Sequence, residues 1–247
     1  MKMKFFTIKK IFFLLSVLFL ILQSCSSSDN AGSVNNSYQG VLLKRSLGND
    51  GISDFIYENG NKLSKIVHGS QGYDKFTYSG NLITKIEYAD VNGVVSVTTT
   101  FSYNSDNKPI ESRDYSIESL ESISQYTYNS DGTVTINGMS RGSSNGVEQW
   151  SNSVNKIYFD TAGNVIKIEN ENGTTLIFYD NKNWPLKNIE GIYALYQSKN
   201  NKIRETRTST FGSSETTWTY TYNSLNYPIS ATKIENGNSS NPVSFSY

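Results

Sequence analysis

The sequence predicts an all-β fold, a long antiparallel meander of roughly 16–18 strands that is rolled or barrel-like. The first observation is composition: the 247 residues include 17 Tyr and 12 Phe but only 3 Trp and 3 Met, a balance typical of strands. The second is a short aromatic cell, most often two aromatic residues separated by one, that recurs about every 24 residues. No change in composition interrupts residues 38–247, so we expect them to form a single domain.

The aromatic cell marks the end of one strand in each repeat. Its clearest copies are Phe55-Ile56-Tyr57 and Phe76-Thr77-Tyr78, each followed by a turn and an apolar second strand. Residues two apart point to the same face of a strand, so both aromatic side chains of a cell are expected on one buried face. The last residues of the cells, called markers below, are Tyr57, Tyr78, Tyr103, Tyr128, Phe159, Tyr179, Tyr196, Tyr222 and Tyr247.

Turn dipeptides and prolines separate the predicted strands. Asn-Gly and Asp-Gly favour the positive φ of type I′ turns, so each is expected to reverse the chain. They occur at Asp50-Gly51, Asn59-Gly60, Asn92-Gly93, Asp131-Gly132, Asn137-Gly138, Asn145-Gly146, Asn172-Gly173 and Asn236-Gly237. Three prolines follow a turn at the same phase and are expected to begin strands, and Pro242 precedes the last strand. The three are Pro109, Pro185 and Pro228.

Residues 1–24 have the features of an export signal. Lysines precede an apolar run from Ile11 to Leu22, which is too short to span a bilayer comfortably. The stretch Leu22-Gln23-Ser24-Cys25 then resembles the lipobox of bacterial lipoproteins, in which a small residue precedes a cysteine that is diacylated at sulfur. The resemblance implies a lipoprotein signal peptide over residues 1–24 and attachment of palmitate-type acyl chains to Cys25.

Residues 25–37 are expected to be a lipid-anchored flexible tether, because they are small and polar. Two or three acyl chains hold a protein on a membrane far more firmly than one chain does. The membrane is therefore a predicted partner, reached through the anchor. The predicted location is the outer membrane, on its periplasmic face or at the cell surface.

Charge and rare residues exclude several classes of function. Without the leader, 18 basic side chains remain against 22 acidic ones, the wrong sign for a non-specific nucleic-acid-binding protein. His68 is the only histidine and Cys25 the only cysteine, which excludes multi-His and Cys-rich zinc sites within the chain. We predict no metal, no cofactor and no nucleic-acid partner.

A Tyr-Asn or Tyr-Asp dipeptide recurs in the aromatic cells, at Tyr103-Asn104, Tyr128-Asn129, Tyr179-Asp180 and Tyr222-Asn223, with Phe159-Asp160 as a variant. These cells resemble the YD (RHS-type) repeats of bacterial surface and toxin-shell proteins. Together with the lipobox, the chain is similar to Bacteroidetes lipoproteins built from degenerate repeats of this kind, including a family of unknown function with a porin-like fold. The resemblance implies an architecture and no particular activity.

Catalytic motifs are scarce. His68 follows a predicted strand, where a lone histidine is most often structural, and no G-x-S-x-G motif accompanies it; a Ser-His-Asp arrangement stays open. The acidic residues lie mostly in turns or beside lysine, and none stands out as a pair for glycoside hydrolysis. We therefore predict that the protein is not an enzyme.

The three tryptophans are the candidate binding residues. Trp150, Trp184 and Trp218 would form stacking platforms for sugar rings if they emerged on one side of the sheet. The alternative is that Trp150 and Trp218 pack within strands and that Trp184 caps a turn. Their spacing of 34 residues, which differs from the repeat period, favours this alternative.

The predicted function is that of a lipid-anchored cell-envelope protein, a non-catalytic binding or adhesion module for a glycan or a protein partner. One alternative is an envelope-associated enzyme acting on polysaccharide, and another is a structural or assembly lipoprotein without a small ligand. A third is an integral outer-membrane barrel, which the alternating C-terminal residues Val243, Phe245 and Tyr247 favour. Short predicted strands with polar residues on their aromatic faces argue against it.

Overall fold

The computed structural model describes residues 40–49, 51–117, 119–144, 147–196 and 198–247. The predicted signal peptide, Cys25 and the tether lie outside these residues. Asp50 and the predicted turn Asn145-Gly146 also lie outside them.

Antiparallel strands make up most of the described chain. They are β1 (Arg45–Gly48), β2 (Gly51–Glu58), β3 (Lys62–Val67), β4 (Tyr73–Ser79), β5 (Leu82–Ala89), β6 (Val95–Tyr103), β7 (Pro109–Ser116), β8 (Ser119–Tyr128), β9 (Val134–Ser144), β10 (Val147–Phe159), β11 (Val165–Asn170), β12 (Gly173–Tyr179), β13 (Lys202–Ser209), β14 (Gly212–Tyr222), β15 (Pro228–Glu235), β16 (Asn238–Ser239) and β17 (Val243–Ser246). One short helix, α1 (Ile192–Tyr196), lies between β12 and β13.

The sheet closes on itself. Each strand from β1 to β15 pairs with the next in sequence. β17 then pairs with β15 on one side and with β1 on the other, whereas β16 pairs with β15 alone. The result is a closed barrel of sixteen strands, which confirms the predicted all-β, barrel-like meander.

A β-bulge recurs at the marker residues. The ladder shifts register at Tyr57, Tyr78, Tyr103, Phe159, Tyr179 and Tyr222. In the β2–β3 hairpin, Phe55 pairs with Ile66 but Tyr57 pairs with Leu63, so one extra residue lies in β3. Leu63 and Ile66, three residues apart, are therefore both buried on the inner face. A bulge bends its strand, so the repeat curves the same end of every such hairpin.

The marker tyrosines also connect successive hairpins. The hydroxyl of Tyr103 donates to the carbonyl of Ile83, the residue that opposes the preceding marker, at 2.5 Å. Tyr128 bonds the carbonyl of Pro109 in the same way at 3.0 Å. The same relation holds for Tyr179 with Val165 and for Tyr247 with Pro228. The end of the barrel that carries the markers is thus tied together by a series of tyrosine hydrogen bonds.

The described residues between 180 and 201, called the insert below, close this end of the barrel. Leu186, Ile189 and Ile192 of the insert are buried in one cluster with Leu63 and Ile83 of the barrel wall. A sixteen-stranded barrel is too wide for wall side chains alone to fill, and the insert supplies the missing apolar contacts at this end. We call it the closed end.

Hydrogen bonds hold the insert to hairpins on opposite sides of the closed end. The backbone N–H of Glu190 donates to the carbonyl of Asn61 at 3.1 Å, and the hydroxyl of Tyr193 donates to the carbonyl of Gly163 at 2.7 Å. Gly191 approaches the β4–β5 hairpin so closely that a Cβ would lie 2.7 Å from the carbonyl oxygen of Asn81. Its φ of +73° also favours glycine.

The insert corrects two expectations from the sequence. Tyr196, taken as a strand marker, lies in α1, and Pro185, expected to begin a strand, lies in the insert. Apolar residues recur every three positions in the insert, at Leu186, Ile189 and Ile192. This spacing buries one side of a helical or coiled segment, whereas a strand with one buried face would alternate every two residues.

A third correction concerns Asn137-Gly138, which lies in the middle of β9 and does not turn the chain. Gly138 pairs with Ser153 of β10, and a Cβ there would lie 2.6 Å from the Ser153 Oγ. This glycine therefore permits close packing across the hairpin. By contrast, Asn59-Gly60 and Asn236-Gly237 have positive φ and turn the chain as predicted.

The strand-starting role of proline is confirmed at two of its three predicted positions. Pro109 begins β7 and Pro228 begins β15. Pro242 directly precedes β17, also as predicted.

Ion pairs cover the outer wall of the barrel. Arg204 Nε lies 2.9 Å from Glu215 Oε2 across β13 and β14, and both side chains are at least half exposed. Similar pairs join Arg45 to Asp54, Lys85 to Glu87, Arg113 to Glu111, Lys156 to Asp131 and Lys167 to Glu169. On a lipid-facing barrel wall, each such Arg or Lys at the bilayer midplane costs about 2–4 kcal/mol. These charged pairs share the outer wall with exposed apolar side chains such as Ile56, Ile110 and Phe178.

None of the described residues forms a helix long and apolar enough to cross a membrane.

We expect Leu186→Ala to lower the free energy of unfolding by about 2–5 kcal/mol, because a fully buried leucine of the insert would leave a cavity. Urea unfolding followed by circular dichroism measures the change. The control is Leu225→Ala, which removes an exposed leucine and is expected to shift stability by less than about 0.5 kcal/mol. Equal midpoints for the two variants would show that the insert does not stabilise the barrel.

Burial raises the pKa of the Tyr78, Tyr128 and Tyr179 hydroxyls to about 12. In the unfolded chain these hydroxyls ionise near pH 10. Between about pH 10 and 12 the unfolded chain therefore loses protons that the folded protein keeps, which favours unfolding. We expect stability to be constant below about pH 10 and to fall as the pH rises toward 12. Phenolate absorbance against pH, measured beside urea unfolding, tests this, and titration of every tyrosine near pH 10 in the folded protein contradicts it.

Candidate functional site

The three tryptophans lie in three different environments. Trp150 lies on the outer face of β10, opposite Arg141 of β9, with 48% of its surface exposed. Trp184 belongs to the insert and packs against the buried cluster. Trp218 is buried on the inner face of β14, with the Lys202 ammonium 4.8 Å from its ring centre. The structure does not bring them onto one face, so Trp150 alone is placed for stacking on a ligand.

Trp150 belongs to a hairpin that projects from the end of the barrel opposite the closed end. β9 pairs with β8 only as far as Ser140, and β10 pairs with β11 only from Lys156 onward. Among the described strands, residues 141–144 therefore pair only with β10, and residues 147–155 pair only with β9. We call these residues the projecting hairpin.

The projecting hairpin has the composition of a contact surface. Residues 147–152 are exposed on both faces of the strand, and Val147 and Val154 add exposed apolar surface to the hairpin. The Arg141 guanidinium donates to the side chains of Ser119 and Glu148, which gives the tryptophan a charged border. An exposed aromatic residue with a polar rim is typical of binding sites.

One edge of the projecting hairpin offers unpaired backbone groups. The N–H of Asp160 donates to the carbonyl of Asn164 at 2.9 Å, so even-numbered residues of β10 direct their backbone groups toward the β11 side. On that side β11 ends at Asn170, whose side chain reaches Asn155 at 3.0 Å. No described strand covers the edge beyond that point. Glu148, Trp150, Asn152 and Val154 thus present free N–H and C=O groups.

A second group of polar residues lies inside the barrel. Ser53 Oγ lies 3.1 Å from His68 Nδ1, and His68 Nε2 lies 2.9 Å from Asp74 Oδ2. The consistent proton arrangement has Nε2–H donating to the Asp74 carboxylate and the serine hydroxyl donating to Nδ1. The Ser-His-Asp arrangement that the sequence left open is therefore formed.

The hydrogen bonds among Ser53, His68 and Asp74 have the features of a structural contact and not of a catalytic site. Ser53 is almost fully buried and lies within a regular strand, without the strained turn that exposes a nucleophile. Asp114 is held in a related way, accepting hydrogen bonds from Thr99 at 2.6 Å and from Ser122 at 2.5 Å without a histidine. Such contacts satisfy polar side chains on a buried wall.

Within the described residues, no three His, Cys, Asp or Glu side chains are grouped as metal ligands.

The sequence analysis did not identify the projecting hairpin. Its signal is the interval from Tyr128 to Phe159, which is the longest between successive markers. The extra residues lengthen β9 and β10 to 11 and 13 residues, beyond the reach of the 6-residue β11. The misread Asn137-Gly138 dipeptide concealed this long hairpin by suggesting two short ones.

No protein-family model matches the chain, and no curated protein matches it. Among solved structures, it is similar to a porin-like protein from Bacteroides uniformis, with 14% sequence identity and a TM-score of 0.38. The match covers 79% of this chain and 76% of that chain. The resemblance to a porin-like family is thus matched by a distant structural likeness, while the sixteen-stranded barrel follows from the chain's own strand pairing.

Proposed function

We propose that this chain is a lipid-anchored protein of the bacterial cell envelope that acts as a non-catalytic binding or adhesion module. The observation that carries the proposal is the projecting hairpin, which exposes Trp150 and a free strand edge at one end of a closed barrel. A folded domain that leaves such an edge open exposes a surface that favours association.

The first described residues of the chain lie at the closed end, opposite the projecting hairpin. Lys44 N–H donates to the carbonyl of Ser246 at 2.8 Å, and Leu43 accepts from the Tyr57 hydroxyl at 2.7 Å, so the chain enters the barrel at its closed end. A lipid on Cys25 would hold that end toward the membrane through a tether with a coil dimension of about 20 Å. The projecting hairpin would then point away from the membrane.

The charged outer wall supports a barrel that stands in water. Exposed pairs such as Arg204 with Glu215 and Arg45 with Asp54 occupy the wall at the level of the strands. An integral outer-membrane barrel needs a continuous apolar band there. Anchoring through lipid needs no such band and agrees with this surface.

The ligand class follows from the surface of the hairpin. An exposed indole beside Arg141, Glu148 and Asn152 combines a stacking face with hydrogen-bonding groups, which suits sugar rings or a protein surface. We propose an envelope glycan or an envelope protein as the partner. The burial of Ser53 supports a non-catalytic role.

We expect Trp150→Ala to weaken binding of the partner about tenfold, because the stacking surface is lost. A glycan array and a pull-down from envelope fractions identify the partner, and calorimetry measures the change. The matched control is Phe178→Ala, which removes another exposed aromatic residue of the outer wall, one that lies under Arg204. An equal loss in both variants, or no partner for the wild-type chain, contradicts the proposal.

We expect Cys25→Ser in the full chain to abolish lipid attachment, because no other cysteine is present. Metabolic labelling with palmitate and partition into detergent measure the change. The wild-type chain should carry label and enter the detergent phase, and the variant should do neither. An unlabelled wild-type chain in the aqueous phase would exclude the anchor.

A further inference from the structure

We propose that two copies of this chain pair through the free edge of β10, forming an antiparallel dimer with Ser151 on its two-fold axis. The inference deepens the proposed function, on which it rests, by naming a second copy as a partner of the projecting hairpin. It concerns the edge of the strand, whereas the Trp150 side chain lies on the face.

The backbone of the edge selects one pairing register. In an antiparallel ladder, hydrogen bonds form only between residues whose N–H and C=O groups point toward each other. On this edge those residues are Glu148, Trp150, Asn152 and Val154. Pairing Glu148 with Val154 of the second copy, and Trp150 with Asn152, uses all four residues of both copies at once. A shift of two residues in either direction leaves groups unpaired or places Lys156, which pairs with β11, in the ladder.

The side chains are compatible with this register. On the outer face Glu148 lies opposite Val154 and diagonal to Lys156 of the second copy, so opposite charges are neighbours. On the other face Ser151 meets itself and Gln149 meets Ser153, and no charged residue faces another. The two copies of Trp150 are diagonal neighbours about 7–8 Å apart, a distance that aromatic side chains bridge.

The length of the edge also fits a second copy. The free stretch runs from Val147 to Asn155, and the proposed register pairs these two residues with each other. The free stretch of each copy therefore stops at the point where β11 of the other copy starts to pair with its own β10. An unrelated extended peptide would have no reason to match the length of this free stretch.

The two-fold axis places the closed ends at opposite ends of the dimer, because each hairpin projects away from its own closed end. The two tethers consequently leave in opposite directions. Two copies held on facing membranes satisfy this geometry, and the dimer would then act in adhesion between surfaces.

Cysteine cross-linking tests the register. All strands of the barrel lie between residues 45 and 246, so a chain of residues 26–247 contains the complete fold and no cysteine. Ser151→Cys places two thiols across a non-hydrogen-bonded pair, where Cα atoms about 4.5 Å apart permit a disulfide. Ser153→Cys, on the same face, leaves its thiols four residues out of register, about 13 Å apart. We expect a disulfide-linked dimer for the first variant only; linkage of both, or of the second alone, overturns the register.

Sedimentation of the same chain tests the association without a covalent bond. We expect a reversible dimer for the wild-type chain, and a dissociation constant raised about tenfold or more for Ser151→Lys, which sets two like charges opposite each other. Ser153→Lys, which faces Gln149, should dimerise as the wild type does. A monomer at every concentration, or capture of another envelope polypeptide on this edge in place of self-association, overturns the proposal.

The two proposals fail separately in these experiments. A Ser151→Lys monomer that keeps its circular dichroism spectrum still exposes Trp150, so it can be screened for the envelope partner. Loss of dimerisation with partner binding retained is expected. A dimer that binds no other envelope partner refutes the glycan or protein-partner part of the proposed function and leaves self-pairing intact.

Discussion

The marker tyrosines hold the closed end of the barrel together. Four of them, Tyr103, Tyr128, Tyr179 and Tyr247, combine a half-buried ring with a hydroxyl that donates to a backbone carbonyl of the preceding hairpin. β-Bulges at most of the marker positions bend the strands at the same place in successive hairpins. The barrel closes where β17 pairs with β1, and the repeated tyrosine contacts hold the strands together at the closed end.

The insert fills space that the wall side chains of the closed barrel leave empty. Sixteen strands enclose more space than their inner side chains fill, and porin-sized barrels therefore contain water. Here Leu186 and Ile192 enter the closed end and complete an apolar cluster with the first hairpins. The barrel consequently gains a core at one end, while hydroxyl and carboxylate networks such as Ser53, His68 and Asp74 line its inner wall nearer the other.

The two ends of the barrel present different surfaces. The chain enters at the closed end, where Lys44 bonds Ser246, and this end suits a membrane tether. The opposite end carries the projecting hairpin, whose edge strand escapes the pairing that protects the other strands of the barrel. Natural proteins usually cover such edges, so an open one beside an exposed Trp150 is the strongest indication of a contact surface.

Sequence alone determined the fold class, the strand number and the face on which the markers lie, because period and turn chemistry are local properties. Phe76 and Tyr78 were placed on the inner face and Pro109 at a strand start without any tertiary information. The insert and the inner Ser53-His68 contact depended on residues far apart in the chain. Only the tertiary structure decided which tryptophan is exposed, because strand alternation at Trp150 and Trp218 is identical in kind and the barrel buries one face of it.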